Sequence, residues 1–166
     1  MNLQSLNSLY VLELHALYHA EQQILKAMPR MIDAAQSAEL KEALRKHREE
    51  TTLHVNRLEE IFEMHAEKPS GNPCQGMDAI LKEADQLLKY QAEPAIRDAA
   101  IVSAAQRVEH YEIAMYGCVR TWAEQLGFER AAQVLETTLR EEEMADQSLT
   151  SIAKSSVNVA AASRTA

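Results

Sequence analysis

The stretch Lys68-Pro69-Ser70-Gly71-Asn72-Pro73-Cys74-Gln75-Gly76 (KPSGNPCQG, 68–76) is the only dense cluster of helix breakers in a chain of 166 residues. It holds two of the four prolines and two of the four glycines. Proline removes a backbone donor and glycine frees the backbone, so such a cluster interrupts a helical pattern. On both sides of it Ala, Leu, Glu, Gln, Arg and Lys dominate, a mix that favours long helices over strands. The cluster therefore divides a helical chain into two halves.

Apolar spacing at helical period resolves each half into a pair of long helices. The first runs from about Leu3 to Ala35, with Leu6, Tyr10, Leu14, Leu17, Ile24 and Met28 on one side, and Pro29 should kink or locally end it. Ser37 is placed to cap the second, about Ala38 to Ala66. A short helix, about Met77 to Gln91, follows the breakers. Pro94 suits the first turn of the third long helix, about Ala95 to Leu126, and Gly127 suits its C-terminal exit. The fourth covers about Phe128 to Ala153, and the small polar segment 154–166 has no period and is expected to fray as a flexible tail. Within each half the connection is very short, which makes two antiparallel hairpins. Between the halves the chain has room for a long crossover. The expected fold is all-α, one domain over 1–153, in the ferritin-like four-helix arrangement with a long central connection that carries the extra short helix.

Composition narrows the function classes. Apolar residues make up 46% of the chain, enough for a sizeable core, and the net charge is −8 with a pI near 5.3. A net-acidic surface lacks the basic footprint that nucleic acid or an anionic membrane requires. No apolar run approaches the ~20 residues of a membrane span. The start, Met1-Asn2-Leu3-Gln4, lacks the pattern of a secretory signal. Cys74 and Cys118 form no C-x-x-C pair and read as free thiols. A cytoplasmic location is the expectation.

The chemistry lies in a repeat between the halves. Helix one contains His19-Ala20-Glu21 and helix three contains His110-Tyr111-Glu112. About thirty residues further on, helix two reads Arg48-Glu49-Glu50-Thr51-Thr52-Leu53-His54 and helix four reads Arg140-Glu141-Glu142-Glu143-Met144-Ala145-Asp146. Superimposing the halves pairs Glu21 with Glu112, Glu50 with Glu142, and His54 with Asp146. Glu109 lies one turn from Glu112 on the same stripe. Six carboxylates, Glu21, Glu50, Glu109, Glu112, Glu142 and Asp146, thus converge on one core with His54 beside them, and His47 further along the same face. Buried carboxylates without positive partners are costly. Arg48, Arg107 and Arg140 face elsewhere by phase. Two divalent metal ions would supply the missing charge, and oxygen donors with an imidazole favour iron, with manganese and zinc as alternatives.

On "HAEQQ" at 19–23, "HREET" at 47–51, "VEHYEIAMYG" at 108–117, "TWAEQLG" at 121–127 and "TLREEEMAD" at 138–146, the sequence resembles the ferritin-like dimetal-carboxylate proteins, and within them the YciF-like bacterial stress-protein family. The resemblance covers about residues 3 to 153 and implies a dimetal centre. Two departures from the usual pattern are visible. Glu-x-x-His is expected on two helices, whereas Glu50 and His54 are four apart and Asp146 stands where a second histidine would. A carboxylate-rich second half is closer to the rubrerythrin-type site, without the four-cysteine rubredoxin-like module, so any redox chemistry needs an external electron donor.

Two function classes follow. One is a dimetal redox protein that couples ferrous iron to reduction of peroxide or oxygen. The other is a non-catalytic stress or structural protein whose metal only holds the bundle together. Tyr18 and Tyr111 flank the carboxylates, with packing their default role. The consecutive apolar residues Leu9 to Leu12 cover most of a turn, so helix one should be buried on more than one side, which a homodimer through the first hairpin would achieve.

Overall fold

Two apolar clusters stacked end to end along one bundle, with a polar layer between them, are the plan of the molecule. The computed structural model describes residues 3–71 and 73–163. The reading of the N-terminus at Met1-Asn2 and the last part of the tail expectation, 164–166, lie outside the described residues. Helices α1 (Leu6–Ala34), α2 (Ala38–Met64), α3 (Gln75–Lys89), α4 (Pro94–Gln125) and α5 (Glu129–Ile152) follow in order, with no strand among the described residues. No helix is long and apolar enough to cross a membrane among these residues.

Local signals act where the sequence places them. Ser37 caps α2 by accepting from the Leu40 amide at 3.3 Å, and Pro94 opens α4. Gly127 takes a φ of 77°, and the Gly127 and Phe128 amides donate back to Glu124 and Ala123 to close the end of α4. Pro29 does not end α1, which continues to Ala34. It sits on the outer, half-exposed side of the helix, where the carbonyl it leaves unpaired can meet water.

Helix α1 packs on α2 and α4, and α5 packs on α2 and α4, so the four long helices form a square. The residues that meet across α1 and α4 run in opposite directions, from Tyr10 near Tyr116 and Val119 to Met28 near Ile101 and Ala105. That antiparallel pairing makes α2 and α4 parallel, so the chain must travel back along the bundle between them. Helix α3, 15 residues or about 22 Å at the α-helical rise, does so while covering α1 and α4. The loop before it is pinned to α1: the Ser70 amide donates to His15 Nδ1 at 3.1 Å, and His19 Nε2 lies 3.2 Å from the Ser70 carbonyl. A Cβ at Gly76 would collide with the ring and hydroxyl of Tyr111, so only glycine lets α3 approach α4 there.

The segment after α5 corrects the tail expectation. The helix continues through a π-helical turn at Ala153–Val157 into a short helix α6, Asn158–Ala162. Ala153 and Val157 are buried in the apolar cluster with Ile101 and Ile152. Two buried positions four apart suffice to dock a helical turn, even though the segment as a whole is small and polar.

Asp98 is a structural residue that the sequence pattern does not announce. It is 5% exposed, and its carboxylate accepts the Gln36 amide at 2.7 Å and the Ser37 amide at 2.8 Å. It therefore satisfies the donors of the α1–α2 turn from a different helix. Asp98→Ala should cost roughly 2–4 kcal/mol of unfolding free energy, the worth of hydrogen bonds to a charged acceptor with donors left unpaired. Urea unfolding checks this, and a loss near zero would contradict it.

Candidate metal centre

Between the two apolar clusters lie Glu21 of α1, His47, Thr51 and His54 of α2, Glu109 and Glu112 of α4, and Glu142 of α5, all buried. Each comes from the inward stripe of its helix, so the spacing that makes the core also aims the carboxylates at one another. His47, Glu109, Glu112 and Glu142 can each offer a ligand atom within 4.8 Å of the others, and Glu21, His54 and Glu142 do the same. Glu142 belongs to both groups. These His/Glu groups can hold a metal ion.

The donor atoms are largely unclaimed. Both oxygens of Glu112 and of Glu142, one oxygen each of Glu21 and Glu109, both ring nitrogens of His47 and Nδ1 of His54 have no hydrogen-bond partner. His54 Nδ1 is 2.8 Å from Glu142 Oε1 and 3.4 Å from Glu21 Oε1, close enough for charge but not aligned for a hydrogen bond. His47 Nε2 lies 3.3 Å from Glu109 and 3.7 Å from Glu142. Buried polar atoms are normally paired. A set of orphaned oxygens and imidazole nitrogens in one layer fits divalent cations.

The layer is held from outside. Tyr116, fully buried, donates its hydroxyl to Glu21 Oε1. His54 Nε2 meets Glu141 at 2.8 Å, and Arg57 grips the same carboxylate through both terminal nitrogens. That fixes the ring so that Nδ1 faces the cluster, an arrangement that orients imidazole ligands.

Burial, and after it the neighbouring carboxylates, push the Glu109 and Glu112 carboxyls well above the usual carboxylate range. Burial also raises Glu21, against the opposing effect of His54. For His54 burial disfavours the cation, but Glu142 and Glu21 outweigh it and lift its pKa to about 10. In metal-free protein Glu109 and Glu112 thus hold their protons to higher pH than ordinary carboxylates do.

Two expected ligands are not gathered with the rest. Glu50 is turned toward solvent, with Lys46 Nζ 2.9 Å from one oxygen and His47 Nδ1 3.9 Å from the other, and His47 and Lys46 hold its carboxyl at about 2 against the opposing effect of burial. Asp146 accepts Gln106 Nε2 at 3.2 Å and faces His110 Nε2 at 3.1 Å. One turn beyond Glu142, its position has rotated to the rim of the bundle. Gln106 donates to both Asp146 and Thr150.

His47 takes the inward place instead. It is two turns from His54 on the same face, and that seven-residue offset was its signal. Tyr116, one turn after Glu112, was readable in the same way. Glu141 was hidden in the "REEE" run, where only Glu142 has the inward phase. The tyrosines expected to flank the carboxylates bind elsewhere: Tyr18 donates to Glu59 and Tyr111 meets Cys74 Sγ at 3.2 Å.

The chain matches a family model described as "Domain of unknown function (DUF892)" over residues 5–162. It belongs to the DUF892 family. Among family relatives, Protein YciF of Escherichia coli (strain K12) is 36% identical over 159 residues, which are 95% of this chain and 96% of that protein. The crystal structure of the E. coli stress protein YciF aligns with a TM-score of 0.90 at 35% identity, covering 94% of this chain and 99% of that one. YcfI, a candidate structural protein from Rhodopseudomonas palustris, aligns with a TM-score of 0.87 at 42% identity over 90% of this chain and 95% of its own.

A pH dependence follows. Glu109 and Glu112 stay protonated in the folded chain where the unfolded chain has released the protons, so the folded state loses stability as pH rises above the ordinary carboxylate range. His15 and His65, whose pKa values burial lowers, slope the other way. Replacing Glu112 isolates the first effect. Glu112→Gln should gain stability relative to metal-free wild type as buffer pH rises from about 5 to about 8, read from thermal melts. A difference that does not change with pH would contradict the assignment.

Proposed function

We propose that this protein is a ferritin-like dimetal-carboxylate stress protein that binds two divalent ions, iron by ligand type, and reduces peroxide or oxygen. The observation that carries the reading is Glu142, whose two unpaired oxygens face one donor group each way. A carboxylate that belongs to both groups would be placed to reach an ion in each. Charge supports the same number. With both imidazoles neutral, Glu21, Glu109, Glu112 and Glu142 carry four negative charges, which two divalent ions balance.

In this reading His47, Glu109 and Glu112 would hold one ion, Glu21 and His54 the other, and Glu142 would serve both. A ferrous pair supplies the two electrons that, with two protons, convert hydrogen peroxide to two waters. The chain's own part is to position and to exclude. The apolar clusters above and below keep bulk water out. Tyr116 and the Arg57–Glu141 pair hold Glu21 and His54 in place. Glu109 and Glu112, one turn apart, offer alternative oxygens to one ion, so ligation can change as the charge changes. An external reductant must then restore the ferrous state. The likeness to a stress protein favours this role, while the likeness to a candidate structural protein favours the second reading, in which metal only ties the helices together.

Elemental analysis should find about two ions per chain, and Glu142→Ala should lose at least one. Full occupancy in that variant would sink the bridge. Anaerobic protein loaded with ferrous ions should oxidise on addition of peroxide much faster than free ferrous ion in the same buffer, and Glu112→Ala should slow that step. If loaded wild type reacts no faster than the free ion, the structural reading stands.

A further inference from the structure

The buried layer needs a way in for hydrated cations, and its walls differ. Toward α1 and α4, fully buried Glu21 and Tyr116 close the seam. At the Arg57 end of the α2–α5 seam, the His54–Glu141–Arg57 contacts close it. A small cavity beneath α3 reaches His47 and Glu109, but its remaining lining is apolar, with Ile24, Met28, Met31 and Leu81 among it. A dication that sheds water there finds no oxygen to replace it.

One opening is different. Between α2 and α5 a gap of about 40 Å³ is lined by Lys46, His47, Glu50, Glu109, Met144 and Ser148 among others. At its inner end are the unpaired ring nitrogens of His47 and the unpaired Oε2 of Glu109, on side chains that are 7% and 2% exposed. At its outer end is Glu50, with a side chain 19% exposed, between Lys46 at 2.9 Å and His47 at 3.9 Å. The gap continues at Ala43, Lys46 and Ser148 into an open surface groove of about 580 Å³ that carries Glu39, Glu42 and Glu49.

We propose that divalent ions reach the buried cluster through the opening between α2 and α5, and that Glu50 takes them from solvent and passes them to His47 and Glu109. The inference rests on the metal-binding reading and adds the route and its transfer residue. Glu50 is the carboxylate at this opening that meets both solvent and the cluster residue His47, and side-chain rotamer changes that would carry it inward are fast. Lys46 holds it outward when no ion is present. A carboxylate at the mouth replaces lost waters, and with Glu39, Glu42 and Glu49 it outnumbers the cationic Arg45 and Lys46 of the same groove, which draws cations inward.

The test is the rate of Mn²⁺ uptake by the full chain, followed by loss of the free-ion electron paramagnetic resonance signal, with affinity measured alongside. Ser148→Trp, which fills the gap, and Glu50→Gln, which removes its charge, should each slow uptake roughly tenfold or more with a smaller change in affinity. Lys46→Gln should speed it. Thr52→Trp, which faces the separate groove between α1 and α2, should bind at the wild-type rate. Wild-type uptake rates in both Ser148→Trp and Glu50→Gln would overturn the route while leaving the metal centre standing. The same holds if Glu50→Gln weakens affinity with no change in rate. Wild-type protein that takes up no Mn²⁺ would overturn the metal centre itself.

Discussion

Four carboxylates, Glu21, Glu109, Glu112 and Glu142, sit in a layer with apolar clusters on both sides and no lysine or arginine among them. Each buried charge costs several kcal/mol unless it is matched, and the surrounding structure is arranged around that cost. His54 is oriented toward Glu21 and Glu142, Tyr116 donates to Glu21, and Glu109 and Glu112 release their protons less readily than ordinary carboxylates. These measures make the layer tolerable without metal, yet they leave its donor atoms facing one another with no hydrogen bonds of their own. A stability-driven core would replace such a layer with leucines.

The same layer explains the division of labour among helices. α1 and α4 bring Glu21 and Glu112, fully buried, and Glu109, which only reaches the inner end of the α2–α5 opening, so they form the closed side of the layer. α2 and α5 bring the imidazoles and Glu142 and also carry the polar residues on either flank, Glu141 with Arg57 at one and Glu50 with Lys46 at the other. Within each hairpin the two helices therefore contribute unequally, the first closing the layer and the second opening it at its flanks. The long crossover matters for the same reason: it allows α2 and α4 to run parallel, which places equivalent glutamates of the two halves at the same depth.

Much of this was legible in the sequence. The breakers at 68–71 and 73–76, Ser37, Pro94 and Gly127 act locally, and the square of helices follows from two short loops and one long one. The inward carboxylates were legible because helical phase is periodic and four helices carry the pattern. Phase failed where it needed finer resolution. Asp146 is about 40° past Glu142 by ideal helical geometry, enough to bring it to the rim, while the seven-residue offset leaves His47 within about 20° of His54. Glu50 has the inward phase but a neighbouring lysine to bind, a competition that no periodicity reports. Asp98 and the docked end at Val157 depend on contacts between distant segments, which a single sequence does not display.

The central claim is that two ions flank Glu142. Crystals grown with Mn²⁺ and measured at an anomalous wavelength test it most directly. The account predicts two peaks about 3.5–4 Å apart, one beside His47, Glu109 and Glu112 and the other beside Glu21 and His54, with Glu142 touching both. A single peak, or peaks only on the acidic surface with the buried layer hydrogen-bonded to water, would contradict it.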